Sequence, residues 1–143
     1  SGPPPNYDPE PDVPFRERLE IDGERWERMQ DHANANRPEG MPLIYMIPGH
    51  RMMMRIYDDI QAGVAPGLDS IGDIFADDIH PNDIGQYAIT ALVYAVIYQR
   101  NPREIPDRLA VPGDTLSSEQ ARYFKQIAWE VATGYDRSGV PAN

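Results

Sequence analysis

The chain has 143 residues and a net charge of −10, with 41% hydrophobic and 25% charged residues, a mixture typical of a single globular domain. The negative charge argues against a nucleic-acid partner, because phosphate contacts need clustered Lys and Arg. The absence of cysteine excludes disulfides, thiolate metal sites and a cysteine nucleophile. No uninterrupted apolar run reaches the roughly 18 residues of a membrane span, so none is predicted.

The N-terminal part of the sequence predicts an arm followed by a helix. Residues 1–14 are rich in proline and acidic side chains, which is typical of an extended arm. From residue 15 to about 36 the apolar side chains recur at helical spacing, and a break is expected near Gly23. Trp26 lies at a helical position and is expected to pack into the core.

The segment at 43–47 (LIYMI) has the largest consequence for the fold. It is a continuous apolar run bounded by Pro42 and by Pro48-Gly49, which is typical of a strand buried on both faces, as in a parallel sheet. A lone strand cannot satisfy its own backbone groups. Two interpretations therefore stay open: an all-helical chain in which 43–47 is no strand, or part of an α/β domain whose other strands lie elsewhere.

Further helices are predicted from the apolar spacing at 50–62, 83–99 and 117–133, followed by a tail at 135–143. Asn82 is a good N-cap for the second of these helices. Ser117 and Gln120 have the spacing of a capping box at the start of the third. The helix at 83–99 is apolar nearly all round, so it is expected to be buried.

Asp77 and His80 form the strongest candidate catalytic pair. An Asp three residues before a His, in a loop that ends at a helix N-terminus, can place its carboxylate against the imidazole Nδ1–H. The carboxylate then fixes the tautomer and stabilises the imidazolium that forms when Nε2 takes a proton, as in a nucleophilic hydrolase. Asp78 is the alternative orienting acid, and a solvated surface histidine is the alternative interpretation of His80.

The run at 75–87 (FADDIHPNDIGQY) resembles the final conserved block of the SGNH (GDSL-like) hydrolases, in which Asp-x-x-His-Pro-Asn leads into a helix. The apolar run before Pro48-Gly49 and the following "AGVAPGL" are similar to a subset of bacterial members, so the resemblance covers roughly 16–133. It implies that Asp77 is the orienting acid and His80 the general base of a Ser-His-Asp esterase.

The same resemblance implies a fold and a cellular location. Residues 15–134 would be the C-terminal half of a three-layer α/β/α, flavodoxin-like parallel-sheet domain, mostly helical within this chain. Many bacterial SGNH esterases are exported, which favours a secreted or periplasmic protein. The substrate would be a small ester, such as an acetylated carbohydrate, a short acyl ester or a lipid.

The nucleophile half of that family pattern does not occur here. SGNH enzymes carry the nucleophile in a Gly-Asp-Ser block and oxyanion donors in later blocks, and the 76 residues before Asp77 contain neither. Ser70 lacks the preceding glycine and follows no predicted strand, so it is a weak candidate. The expected partner is therefore a missing N-terminal half or another chain that bears the serine. The alternatives are a non-catalytic SGNH-derived subunit that packs against a partner, and an unrelated helical binding protein.

A candidate substrate pocket lies at Pro48, Gly49 and His50, with Asn82, since ligand sites of α/β proteins lie at the carboxyl ends of strands. The alternative is a helix that simply packs its methionines into the core. The adjacent carboxylates at 58–59 and 77–78 could bind a divalent cation, but a solvated surface is the preferred interpretation. No metal and no cofactor are predicted.

Overall fold

The computed structural model describes residues 13–109, 113 and 115–142. They form four α-helices, namely α1 (Phe15–Ala35), α2 (Gly49–Gln61), α3 (Asp83–Tyr98) and α4 (Ser118–Thr133), and short 3-10 helices at Ile71–Ile74, Pro102–Glu104 and Asp136–Ser138. Within these residues there is no sheet, only an isolated antiparallel bridge between Phe75 and Pro81. The predicted parallel-sheet α/β domain is therefore wrong, and the described part of the chain is all-helical.

Segment 43–47, the predicted strand, is non-helical and pairs with no strand. Side-chain amides of α1 take the place of a neighbouring strand on one of its edges. The Ile44 N–H donates to Asn34 Oδ1 (2.9 Å), and the Ile44 carbonyl accepts from Gln30 (2.9 Å) and Asn34 (3.0 Å). The Met46 N–H donates to a carbonyl of the 3-10 helix near the C-terminus (2.9 Å). The segment is thus tied to α1 and the tail.

The side chains of this segment are largely exposed, with Leu43 at 51%, Tyr45 at 52% and Ile47 at 42% of their full accessibility. The prediction of burial on both faces is wrong because burial of that kind needs a layer on each side. In the described residues its neighbours are α1 and the tail, which leave Leu43, Tyr45 and Ile47 about half exposed.

The core lies between α2, α3 and α4, and the most extensive packing is that of α3 against α4. Small side chains let these two helices approach closely, because buried alanines line both of them, at positions 88, 91, 95, 121, 128 and 132. Larger side chains fill the remaining space; Met52, Ile56, Leu92 and Phe124 are completely buried. The predicted burial of the helix at 83–99 is correct for the side of α3 that packs against α4. The last residues of α3, Ile97 and Tyr98, are exposed.

Helix α1 runs without interruption through Gly23, so the predicted break there is wrong. The glycine instead permits a close approach: a Cβ at this position would lie 2.7 Å from Cδ2 of the buried His50 ring. Trp26, on the next turn, is 43% exposed rather than part of the core. Its place beside an open cavity, described below, explains why the prediction failed.

The predicted caps are confirmed. The Asn82 side chain accepts a hydrogen bond from the Gly85 N–H (3.1 Å) at the start of α3. Ser117 and Gln120 form the reciprocal capping box of α4, with both bonds at 3.1 Å. Of the other predicted segments, the tail packs onto α1 through an Arg137–Asp31 ion pair (2.6 Å), and residues 1–12 of the arm lie outside the described residues.

Candidate functional site

The loop that carries the candidate catalytic pair joins the 3-10 helix at Ile71–Ile74 to α3. Backbone hydrogen bonds close it at two levels: the Asn82 N–H donates to the Ile74 carbonyl (3.0 Å), and the Ala76 N–H donates to the His80 carbonyl (2.8 Å). These bonds fold the chain back on itself between residues 76 and 80. The loop is therefore a closed turn with a fixed start and end.

Asp77 builds the inside of this turn. Its Oδ1 accepts the backbone N–H groups of Ile79 (2.9 Å) and His80 (2.8 Å), and its carboxylate lies 2.8 and 3.0 Å from His80 Nδ1. The structure thus brings the two predicted residues together. Asp78, the alternative orienting acid, makes no hydrogen bond to His80.

These bonds determine the charge of Asp77 and the tautomer of His80. The hydrogen bond from the Ile79 N–H has the largest effect on this carboxyl, and the bonds from the ring and the N–H of His80 add to it. Together they hold the pKa of Asp77 at about 2, so the carboxyl is ionised at neutral pH. An ionised carboxylate can only accept, which places the ring proton of neutral His80 on Nδ1. Nε2 is then free to accept a proton. The His80 side chain is 69% exposed, so Nε2 is accessible to a reactant.

The position of the loop depends on the first turn of α3. A Cβ at Gly85 would lie 2.2 Å from the Ile74 carbonyl oxygen and 3.0 Å from Pro81 Cβ, so only glycine fits there. The Asn82 amide adds a second tie, since its Nδ2 donates to the Asp73 carbonyl (2.8 Å). Both polar groups of the Asn82 side chain are therefore used in holding the loop to the helix.

An apolar cavity of about 440 Å³ opens beside the loop. Its walls come from α1, α2, α3, the end of segment 43–47 and the loop, chiefly from Trp26, Met46, Ile47, Phe75, Ile79 and Ile89. Ile79 and Pro81, the two chain neighbours of His80, both line it. Of the predicted pocket residues, Gly49 and His50 line the cavity, whereas Pro48 is buried elsewhere in the core and Asn82 belongs to the cap.

His50 lines the same cavity but has surroundings unlike those of the loop. It is 3% exposed, its ring packs edge-on against Trp26 (centroids 5.5 Å apart) and Tyr135 (5.6 Å), and neither ring nitrogen has a hydrogen-bond partner. Burial, followed by the neighbouring charge of Arg51, lowers the pKa of His50, while Glu27 opposes the shift. His50 is therefore a neutral packing group rather than a proton-transfer group.

The weaker candidates of the sequence have structural roles. Ser70 caps the 3-10 helix that precedes the loop: its N–H donates to Asp73 Oδ2 (2.8 Å), and its hydroxyl lies 3.4 Å from Asp73 Oδ1. In the part of the chain that the structure describes, no hydroxyl group bonds to His80, and no group of three or more His, Asp or Glu side chains is gathered as a metal site. None of the described helices has the length and apolar character needed to cross a membrane.

The fold and the site define a helical protein with an exposed, carboxylate-oriented histidine beside an apolar cavity. The chain matches no protein-family model, no curated protein and no solved structure. Its function is therefore inferred from the residue pattern and from the geometry of the site.

Proposed function

We propose that this chain supplies the acid–base pair of an SGNH-type serine ester hydrolase whose nucleophile is carried by a polypeptide segment outside these residues. The supporting observation is the pair itself: His80 Nδ1 lies 2.8 Å from the ionised Asp77 carboxylate, and the ring is exposed next to an apolar cavity. The thirteen-residue resemblance around the pair supports the same assignment.

In this mechanism the serine hydroxyl binds to Nε2 of His80. As the serine Oγ attacks the ester carbonyl, Nε2 takes the hydroxyl proton, and Asp77 stabilises the imidazolium that results. Nε2 then gives this proton to the leaving alkoxide, which departs as the alcohol. A water molecule repeats both steps on the acyl-enzyme. The oxyanion donors, like the serine, come from the other segment.

The cavity favours an ester with an apolar acyl group over an acetylated carbohydrate. A sugar needs several polar partners to replace its hydration, whereas the cavity walls are hydrocarbon and aromatic surface. Ile79 and Pro81, the chain neighbours of His80, line the cavity, so an acyl group held there would lie against the loop that carries the base. We therefore expect butyrate or longer esters to be better substrates than acetates.

A second candidate function is that of a non-catalytic subunit that keeps the loop for structure. The observation that favours it is the absence, in the described residues, of any hydroxyl bonded to His80. Asp77 would then act through the turn alone, since two of its bonds hold backbone N–H groups.

The test is turnover of p-nitrophenyl butyrate and acetate by the complete native protein. His80→Ala is expected to lower kcat by about 10³–10⁴-fold, and Asp77→Asn by about 10²–10⁴-fold, as in other triads. His32→Ala is the matched control, because His32 is exposed on α1. A loss of less than about tenfold on His80→Ala would overturn the catalytic assignment. Absence of turnover in the native protein would favour the non-catalytic subunit.

A further inference from the structure

We propose that segment 43–47 is a strand-addition site, at which an extended segment of a partner polypeptide binds along an open backbone edge. The identification of that partner as the carrier of the nucleophile serine rests on the proposed function. The docking itself rests on the structure of the segment.

The two edges of the segment differ. Ile44 and Met46 are bonded to α1 and the tail, with the two-residue spacing of an extended chain. The backbone N–H and carbonyl groups of Leu43 and Tyr45, which alternate with them, have no hydrogen-bond partner in the described residues. An open edge of this kind is a template for another chain, since main-chain bonds then supply the affinity.

Large apolar side chains in the segment and at the neighbouring cavity are exposed. Six large side chains are each about half exposed, at 47%, 51%, 52% and 42% for residues 41, 43, 45 and 47, and at 43% and 55% for Trp26 and Ile79. At roughly 25–28 cal/mol per Å² and about 1.5–3 kcal/mol for a whole large side chain, the six half-exposed side chains together leave on the order of 300 Å² of apolar surface in water. An apolar patch of about 300–600 Å² is the largest on a typical monomer and is often a functional surface, although it is smaller than the roughly 800 Å² that each partner buries in a specific interface.

The surface continues into the proposed catalytic site. Trp26 and Ile47 line the same cavity as Ile79 and Pro81, which flank His80. A polypeptide bound along 43–47 therefore adjoins the base that needs a nucleophile. A small apolar ligand would cover the side chains but would leave the donors and acceptors of Leu43 and Tyr45 unpaired, so the open edge favours a polypeptide.

Residue-resolved amide hydrogen exchange tests the proposal on this chain alone and on the complete native protein. In the chain alone, the amides of Leu43 and Tyr45 should exchange freely, while those of Ile44 and Met46 serve as internal controls because they are already bonded. In the native protein, exchange at Leu43 and Tyr45 should slow by at least about 100-fold. Unchanged exchange at these two amides would overturn the proposal.

A pair of substitutions separates backbone bonding from side-chain packing. Tyr45→Ala and Tyr45→Pro both remove the phenol ring, but only proline also removes the N–H. If a strand is added here, Tyr45→Pro should raise the dissociation constant for the partner segment at least about tenfold above that of Tyr45→Ala, which corresponds to about 1.4 kcal/mol. Equal effects of the two variants would show packing alone and would contradict strand addition.

The remaining outcomes identify other occupants or separate the two proposals. Protection that appears in the chain alone as its concentration rises would identify a second copy and overturn the proposal. Fluorophosphonate labelling of the native protein reports the serine independently. Protection without a labelled serine supports docking and contradicts the esterase, whereas labelling without protection supports the esterase and contradicts docking.

Discussion

His50 lines the apolar cavity and His80 belongs to the loop beside it, and the surroundings of the two rings are opposite. His80 is exposed, and its Nδ1 is held by an ionised carboxylate. His50 is buried between two aromatic rings, and both of its nitrogens are enclosed without a partner. The proximity of a histidine to a cavity is therefore not what makes it a candidate base. The carboxylate on one nitrogen and the access to the other are what distinguish His80.

The surroundings of His80 come from residues close to it in the sequence, whereas those of His50 come from distant parts of the chain. The partner of His80 is three residues away, in a turn that Asp77 builds with its own backbone bonds. The surroundings of His50 come from α1 and from the C-terminal region, through Gly23, Trp26 and Tyr135. The following predictions test how firmly each arrangement is held.

The largest expected effect on stability is that of Gly85→Ala, which pushes the His80 loop away from α3. The new Cβ would meet the Ile74 carbonyl, a backbone atom that cannot move independently. We expect a loss of about 2 kcal/mol in the free energy of unfolding, within the usual range for overpacking. Urea denaturation measures it. Gly49→Ala is the matched control, since a Cβ there meets nothing within 4 Å; equal stabilities of the two variants would contradict the close approach.

A smaller effect is expected from acid, through His50. Because burial lowers the pKa of His50 in the folded protein, the unfolded chain binds more protons at mildly acidic pH. Stability should therefore fall as the pH drops below about 6.5, the ordinary value for histidine. The charged groups that face the ring are Arg51 and Glu27. Urea denaturation of the wild type and His50→Leu at pH 7.5 and 5.5 tests this; a loss of the same size in both would exclude His50 as the cause.

The smallest effect concerns Asp77, whose carboxyl is exposed. Its pKa of about 2 lies below the ordinary value of 3.8, so its contribution to stability is present above about pH 4 and is lost as the pH falls through 2. Carbon-detected NMR titration of the Asp77 carboxyl measures the pKa directly. Removal of the ring in His80→Ala should raise the pKa of Asp77 part of the way towards 3.8, because the backbone hydrogen bonds remain. A value near 3.8 in the wild type would mean that the turn is open.

Sequence patterns predicted the local features of the site and failed on the surroundings. The cap at Asn82, the capping box at Ser117 and the closeness of Asp77 to His80 all involve residues within three positions of each other. The prediction that Trp26 packs into the core failed because the burial of a side chain depends on which surface lies opposite it, and Trp26 lies beside a cavity. The apolar run at 43–47 has the pattern of a buried strand whether or not its neighbours are present.

The sequence by itself determined the helices, their caps and the pairing of Asp77 with His80, because each depends on contacts a few residues apart. Only the tertiary structure decided that the described chain is all-helical, that residues 43–47 have one bonded and one open edge, and that a cavity joins α1, α2, α3 and the loop. Burial and access are properties of the assembled surfaces. For that reason two histidines thirty residues apart can line or flank one cavity while only one of them is open to a reactant.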